Sequence, residues 1–231
     1  MKIAVIGAME EEVVALRESL QNATTQTIAN SEYTTGTYDG KEIVLLKSGI
    51  GKVNAAMGTT ILLHHFKPDV VINTGSAGGY DEQLDVGAIV ISDEVVHHDV
   101  DATIFGYVWG QVPQMPATYQ ADAKLCAIAE QAVATVGEHK SAIGLIGSGD
   151  SFMYEPARVE DVRKKLPALK AVEMEAAAVA QVCYQLGVPF VVIRALSDIA
   201  GKASDVSFEE FLPVAAKHST AVVLEAIKLL A

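Results

Sequence analysis

Short apolar runs recur along the chain and are separated by longer segments in which apolar residues have helical spacing. The run at 2–6 is continuous, which is typical of a buried strand. Segment 10–20 has apolar residues at Val13, Leu16 and Leu20, and this spacing predicts an amphipathic helix. By the same criteria we expect strands at 69–74, 88–96, 142–146, 171–174 and 190–196, and helices at 51–66, 121–136, 156–166, from the end of the 171–174 strand to 186, and from 208 to the C-terminus.

The early part of the chain carries a hairpin signal. Asp39-Gly40 lies between two β-rich runs at 33–38 and 42–47, and Asp-Gly is favoured in two-residue hairpin turns. Segment 103–119 is rich in glycine, proline and aromatic residues, so it is expected to be a long loop.

Elsewhere predicted strands alternate with predicted helices, and this order predicts the α/β class. We expect a mixed, largely parallel central sheet flanked by helices on both faces. The chain has 231 residues, of which 50% are hydrophobic, so it can bury a sizeable core as one domain spanning 1–231.

Charge and composition exclude several classes of partner. The net charge is -12, so the phosphate backbones of nucleic acids and anionic membrane surfaces are repelled. The first apolar run is short and is followed by three glutamates, unlike a signal peptide, and no run reaches the roughly 18 apolar residues of a membrane span. Cys126 and Cys183 have no nearby cysteine or histidine companions. We therefore expect free thiols in a cytoplasmic protein.

Two glycine pairs resemble phosphate-binding or nucleophile motifs but fail on spacing. The dinucleotide fingerprint needs a third glycine three residues after the second. That position is Asn54 after the pair at 49–51 and Phe152 after the pair at 147–149. The P-loop spacing is also absent, and the glycines next to Ser148 do not have the spacing of a nucleophile elbow. These motifs therefore do not predict nucleotide-phosphate binding or a catalytic serine.

Residues 97–101 read HHDVD and resemble a metal-binding cluster. Adjacent residues at the end of a strand point to opposite faces of the sheet, so His97 and His98 are poorly placed to share an ion. We expect neither a metal nor a cofactor, and interpret the cluster as a polar strand end.

Three acidic residues lie just beyond apolar strands, namely Glu12, Glu175 and Asp198. Each alone has an ordinary explanation, because acids favour the first turn and the N-cap of helices. Ligands of open α/β sheets bind outside the carboxyl ends of strands. Three such acids, accompanied by Ser76 and Arg194, therefore predict a site of chemistry.

Five segments around these residues carry a family resemblance. They read GAMEEE at 7–12, KSGIGKV at 47–53, INTGSAGG at 72–79, AVEMEA at 171–176 and VVIRALSD at 191–198. In this order, over essentially the whole chain, they resemble the 5′-methylthioadenosine/S-adenosylhomocysteine nucleosidases of the nucleoside phosphorylase superfamily. The resemblance implies hydrolysis of the N-glycosidic bond of both nucleosides, and of 5′-deoxyadenosine, without a cofactor.

The resemblance also implies catalytic roles. Asp198 protonates N7 of adenine, and Glu12 activates the attacking water with help from Arg194 and Ser76. These roles suit the chemistry, because the ribose becomes positively charged as the bond breaks and adenine leaves poorly unless it is protonated. An acid must hold its proton near neutral pH, so we expect Asp198 to be partly buried and hydrogen-bonded by Ser197 or a backbone group.

The remaining site residues are implied by the resemblance alone. They form the contacts with ribose, adenine and the 5′ substituent, and one of them reaches the pocket of the other subunit of a homodimer. Glu175 binds the ribose hydroxyls, Met174 packs beneath the sugar, Phe152 stacks on adenine, the backbone of Met153 reads its edge, Gly78 and Ser197 also contact substrate, Met9, Ile50 and Phe208 line the 5′ pocket, and Phe105 enters the partner's site.

The first loop distinguishes hydrolysis from phosphorolysis. A carboxylate about 4 Å from a phosphate costs on the order of 4 kcal/mol at intermediate dielectric, so Glu12 suits water better than phosphate. Three alternatives remain: a phosphate-dependent nucleoside phosphorylase of the same fold, a non-catalytic nucleoside-binding protein, and a hydrolase of another nucleoside, such as a futalosine-type or AMP nucleosidase. The apolar residues Met9, Ile50 and Phe208 disfavour AMP.

Overall fold

A computed structural model describes residues 1–137, 140–202 and 204–230. The predicted α/β architecture is confirmed, with a mixed sheet and helices on both of its faces. The strands are β1 (Lys2–Gly7), β2 (Gln21–Ile28), β3 (Ser31–Tyr38), β4 (Lys41–Lys47), β5 (Val70–Gly79), β6 (Ile89–His97), β7 (Tyr119–Gln120), β8 (Ser141–Ser148), β9 (Leu169–Glu173) and β10 (Phe190–Ile199). The helices are α1 (Glu10–Ser19), α2 (Lys52–Ile61), α3 (Ala123–Val136), α4 (Pro156–Lys165), α5 (Ala176–Leu186) and α6 (Ser204–Leu229).

The sheet has the order β10-β6-β8-β9-β5-β1-β4-β3-β2, and an additional pairing of β10 with β5 closes part of it into a ring. Strand β5 is parallel to both β1 and β10, whereas it is antiparallel to β9. The β5–β9 pairing involves only the end of each strand, where Gly78 is opposite Val172 and Gly79 is opposite Ala171. The carboxyl ends of these two strands therefore overlap tail to tail.

Strand β5 is longer than predicted. It does not end at 74 but continues to Gly79, because its glycine-rich half still pairs with β10 and β9. At Gly75 the backbone φ of 144° lies outside the range that L side chains readily adopt. The glycine run is therefore strand, not loop, and it passes directly beneath the site described below.

The predictions missed strand β2 entirely. It is an edge strand whose residues Gln21–Ile28 are mostly exposed and, within the described ranges, pair with β3 alone. An exposed edge strand needs no apolar face, so no alternating pattern marks it. The helix predicted over 51–66 is also corrected, since α2 ends at Ile61 and continues as a π turn, Leu62–Phe66.

Apolar side chains fill both faces of the sheet. Leu46 and Leu62 belong to a buried cluster that includes residues of α2 and α5. Val13, Leu125 and Val222 belong to a second cluster that joins the sheet to α1, α3 and α6. Because close-packed cores resist deformation, the strand ends that carry the candidate site are held on a rigid base.

Cys126 and Cys183 are free thiols, as the sequence predicted. Burial raises the pKa of Cys183 to about 12, so this thiol is inert. Within the described residues, no helix combines the length and the apolar character needed to cross a membrane.

Candidate active site

A cavity of about 280 Å³ opens where the carboxyl ends of β5, β9 and β10 meet the start of α1. Every predicted site residue except Phe105 lines it. Its walls are Ala8, Met9, Glu12, Ile50, Ser76, Ala77, Gly78, Ser151, Phe152, Met153, Val172, Glu173, Met174, Glu175, Arg194, Ser197, Asp198 and Phe208.

Glu12 lies in the first turn of α1 and is 2% exposed. Its Oε2 accepts hydrogen bonds from the backbone N–H groups of Ala8 at 2.8 Å and Met9 at 3.2 Å. Its Oε1 accepts from Ser76 twice, from the backbone N–H at 2.9 Å and from the hydroxyl at 3.1 Å. Four donors therefore fix the position of this carboxylate.

Gly75 makes this arrangement possible. A Cβ atom there would overlap the Glu12 carboxylate and would lie 2.5 Å from Nη1 of Arg194. The two charged groups thus both rest against one glycine backbone, which no other residue type would permit.

Arg194 is the buried cation of the site, at 1% exposed. It forms an ion pair with Glu173 and lies 3.5 Å from Glu175 Oε2, and its Nη2 donates to Asn73 Oδ1 at 3.0 Å. Burial alone would lower the pKa of Arg194, but the surrounding carboxylates outweigh burial and raise it. Arg194 therefore stays charged and offsets the charge of the acids around it.

Glu175 lies at the N-cap of α5 and is 4% exposed. Its Oε1 accepts a hydrogen bond of 2.8 Å from the backbone N–H of Gly51. Burial and the neighbouring Glu173 raise the pKa of Glu175 above its ordinary value, although Arg194 opposes this. Hydroxyl donors from a ligand would stabilise its charged form.

Asp198 lies near the end of β10 and is 3% exposed. The expected hydrogen bond from the Ser197 hydroxyl to Asp198 Oδ1 is present, at 2.9 Å. Burial raises the pKa of Asp198 to about 6, while the Ser197 hydrogen bond acts in the opposite direction. Its other oxygen, Oδ2, lies against the backbone of Gly78, 3.1 Å from the position that a Cβ atom would take there.

Glu173 is a site residue that was not predicted from the sequence. This buried acid pairs with Arg194 and with the Ser148 hydroxyl, and its Oε2 accepts the backbone N–H groups of Glu175 and Ala176 at 2.9 Å each. It therefore caps α5 and anchors Arg194 at once. Its only signal in the sequence is that it is the first acid of the pair in VEME.

The mouth of the cavity is aromatic and apolar. The rings of Phe152 and Phe208 meet edge to face with centroids 5.5 Å apart, and Met9 and Ile50 stand in the same wall. Phe105 lies elsewhere, in the turn Thr103–Phe105, and is 79% exposed. Phe105 therefore does not line the cavity of its own protomer.

The residues of the HHDVD segment are not part of the cavity wall. His97 Nε2 is hydrogen-bonded to Gln181 Oε1 at 3.0 Å, whereas the ring of His98 packs against Gly149. The two rings thus have separate surroundings. In the portion of the chain that the structure describes, no three His, Cys, Asp or Glu residues gather to hold a metal ion.

Comparisons with known proteins match this chain along its length. The family model of the Phosphorylase superfamily matches residues 2–228. A 5′-methylthioadenosine/S-adenosylhomocysteine nucleosidase of Lysinibacillus sphaericus is 75% identical over 227 residues, which is 98% of this chain and 99% of that protein. The Bacillus subtilis nucleosidase of the same name is 63% identical over 228 residues, 99% of each.

A solved structure agrees with these relatives. It is the Neisseria meningitidis 5′-methylthioadenosine/S-adenosylhomocysteine nucleosidase in complex with methylthio-immucillin-A. This chain superposes on it with a TM-score of 0.97 and 49% identity, covering 99% of both chains.

Proposed function

The chain belongs to the phosphorylase superfamily as one of its 5′-methylthioadenosine/S-adenosylhomocysteine nucleosidases, and from that premise we propose how its residues hydrolyse these two nucleosides. The C1′–N9 bond of the nucleoside breaks and a bond from water oxygen to C1′ forms. The products are adenine and the 5′-thioribose fragment. 5′-Deoxyadenosine, which keeps the adenine and ribose, is a further expected substrate.

Asp198 is the acid that protonates adenine N7. Its burial and its pKa of about 6 support this role, because a carboxyl group near that value carries a proton in a useful fraction of molecules near neutral pH. Protonation turns adenine into a neutral leaving group. Ser197 orients the carboxyl group through its 2.9 Å hydrogen bond.

Glu12 orients the attacking water and takes its proton. The four hydrogen bonds to Glu12 support this role by fixing the carboxylate, since a positioned base gains from proximity. Arg194 lies beside Glu12, and its positive charge offsets part of the negative charge of the surrounding carboxylates. A phosphate dianion in the same place would meet Glu12 directly, so the site favours water over phosphate.

Glu175 binds the ribose hydroxyl groups, and Met174 packs beneath the sugar. Phe152 stacks on adenine, and the backbone of Met153 and residue Gly78 contact its edge. The 5′-thio substituent occupies the apolar end of the cavity, formed by Met9, Ile50 and Phe208. The wall residues supporting this assignment carry no cation that would bind a 5′-phosphate.

We also propose a homodimer in which Phe105 of one protomer closes the 5′ pocket of its partner. The support is the exposure of this ring, at 79%, together with neighbouring Ile104 at 87%. Apolar side chains this exposed are typical of interfaces. The expected location of the enzyme is the cytoplasm.

The observation that carries the proposal is that three nearly buried acids, Glu12, Glu175 and Asp198, line one cavity while Arg194 neutralises only part of their charge. The test is adenine release from 5′-methylthioadenosine, with and without phosphate, by the wild type and by Glu12→Gln. We expect release without phosphate, reduced about 10²- to 10⁴-fold in the variant. Release that requires phosphate would identify a phosphorylase, and an unaffected variant would remove Glu12 from the mechanism.

A further inference from the structure

Asp99, from the HHDVD segment, has no part in the mechanism above, yet its side chain is only 22% exposed. Its Oδ1 accepts a hydrogen bond of 2.6 Å from Nζ of Lys52. Its Oδ2 accepts one of 3.0 Å from the backbone N–H of Asp150. Asp99 thus joins the start of α2 to the segment that follows β8.

The same two elements meet a second time. The backbone N–H of Lys52 donates to Asp150 Oδ1 at 2.7 Å. A Cβ atom on Gly51 would lie 3.1 Å from the same oxygen. Together the contacts of Lys52, Asp99 and Asp150 form a closed three-residue clamp.

Helix α2 needs such outside partners. Its N-cap is Gly51, which has no side chain to accept the free N–H groups of the first turn, and that turn has no acidic residue. Uncapped N–H groups are unfavourable, and carboxylates at a helix N-terminus satisfy them. Here two carboxylates from distant elements do so, with Asp150 accepting from Lys52 and Glu175 accepting from Gly51.

The clamp therefore bears on both halves of the cavity. On one side, Ile50 and the Gly51 N–H that holds Glu175 directly precede Lys52. On the other side, Ser151 and Phe152 directly follow Asp150. A shift of α2 relative to the 150–152 segment would move the Glu175 carboxylate away from its donor.

We propose that Lys52, Asp99 and Asp150 are positioning residues that hold the start of α2 against the 150–152 segment and thereby keep Glu175, through Gly51, in place for the ribose hydroxyl groups. This inference rests on the proposed role of Glu175. None of the three residues lines the cavity, so each acts only through its neighbours.

The test compares two substrates, 5′-methylthioadenosine and its 3′-deoxy analogue, which lacks one hydroxyl that Glu175 would bind. The variants are Asp99→Asn, in which the amide replaces one accepting oxygen, and Lys52→Met. The matched control is Asp85→Asn, which removes the exposed 2.8 Å pair with Lys140. Glu175→Gln serves as the reference for loss of hydroxyl recognition.

We expect Asp99→Asn and Lys52→Met to lower kcat/KM about tenfold on 5′-methylthioadenosine and less than about twofold on the 3′-deoxy analogue, since small misplacements of a binding group cost about this much or more. The Asp85→Asn control should change neither. An equal fall on both substrates, or no fall, would overturn the clamp. If Glu175→Gln itself leaves the preference for the 3′ hydroxyl intact, the proposed role of Glu175 fails, and the clamp that acts through it fails with it.

Amide hydrogen exchange gives a second measurement that does not depend on activity. In Asp99→Asn, the N–H groups of Gly51 and Lys52 should exchange at least about tenfold faster than in the wild type, while those of the buried strand β1 stay protected. Unchanged exchange at Gly51 and Lys52 would show that the start of α2 does not depend on Asp99, and would overturn the proposal even if the kinetics had changed.

Discussion

Two carboxyl groups in one cavity have opposite surroundings. Glu12 accepts four hydrogen bonds, three of them from backbone N–H groups, and Arg194 rests against the same glycine. Among the residues that the structure describes, Asp198 accepts one, from Ser197, and burial raises its pKa to about 6. The same functional group is thus prepared as a fixed carboxylate in one place and as a proton donor in the other.

Local structure explains the difference. Glu12 lies in the first turn of α1, shortly after the end of β1. Backbone N–H groups at the start of this helix point at its carboxylate. Asp198 lies inside the last residues of β10, whose backbone groups are already paired with β5. Few donors remain there, so desolvation decides the state of the carboxyl group.

The largest effect should come from removing Arg194, the buried cation among the acids of the cavity. Arg194→Met leaves Glu173 and Glu175 buried without their counter-charge. Breaking a buried ion pair in this way costs about 3–5 kcal/mol, and we expect that loss in the free energy of unfolding measured by urea denaturation.

Arg163→Met is the control for this experiment, because Arg163 pairs with the largely exposed Glu82. It should cost no more than about 1 kcal/mol. If Arg194→Met were as mild as the control, the acids near Arg194 would not depend on its charge.

The sharpest comparison replaces each carboxyl group by an amide of the same shape. A rise in the pKa of Asp198 from 3.8 to about 6 on folding means that its favourable contribution, present below pH 3.8, is lost as the pH rises through 6. Asp198→Asn should therefore stabilise the protein at pH 8, by up to about 3 kcal/mol, and change little near pH 3.5. Thermal unfolding at both pH values measures this.

Glu12→Gln should have the opposite sign. The amide NH₂ of glutamine donates and cannot accept, so it would face the backbone donors of Ala8 and Met9 or of Ser76 without bonding them. An unsatisfied pair of donors costs about 1–3 kcal/mol. We expect this loss at pH 8 in the same thermal unfolding experiment. Two variants that shift stability in the same direction would refute the contrast between the sites.

The pH dependence of catalysis also distinguishes the two carboxyl groups. Because Asp198 must be protonated, kcat/KM should fall about tenfold per pH unit above about 6. The fall should disappear in Asp198→Asn and remain in Glu175→Gln, which separates it from the ionisation of Glu175. A fall that persists in Asp198→Asn would assign the acid to another group.

The smallest effect concerns Ser197. Its hydrogen bond lowers the pKa of Asp198, so Ser197→Ala should raise that pKa and move the fall in kcat/KM to higher pH by up to about one unit, the equivalent of one neutral hydrogen bond. Ser219→Ala, which removes a buried hydroxyl of α6 bound to Ala216 O, should leave the pH profile unchanged. A profile that did not move in Ser197→Ala would show that this hydroxyl does not tune Asp198.

The residue types at the strand ends are apparent from the amino-acid sequence alone. Continuous apolar runs revealed β1, β5 and β10, and the acids that follow β1 and lie at the end of β10 were found because a charged residue next to such a run is conspicuous. These signals are local, so they could be read without knowing the fold. The edge strand β2 escaped for the same reason, because its exposed polar residues carry no local pattern.

How those ends meet depends on the packing of the whole fold. Strand β9 runs antiparallel to β5 and reaches the cavity through a two-residue overlap of their carboxyl ends, whereas the sequence suggested acids gathered simply at one end of a parallel sheet. The use of Glu173 as the anchor of Arg194, and the clamp formed by Asp99, likewise join residues far apart in the chain. The pKa of Asp198 depends on how deeply it is buried. Strand direction, burial and long-range charge pairing all follow from packing between distant segments, and no short stretch of sequence contains that information.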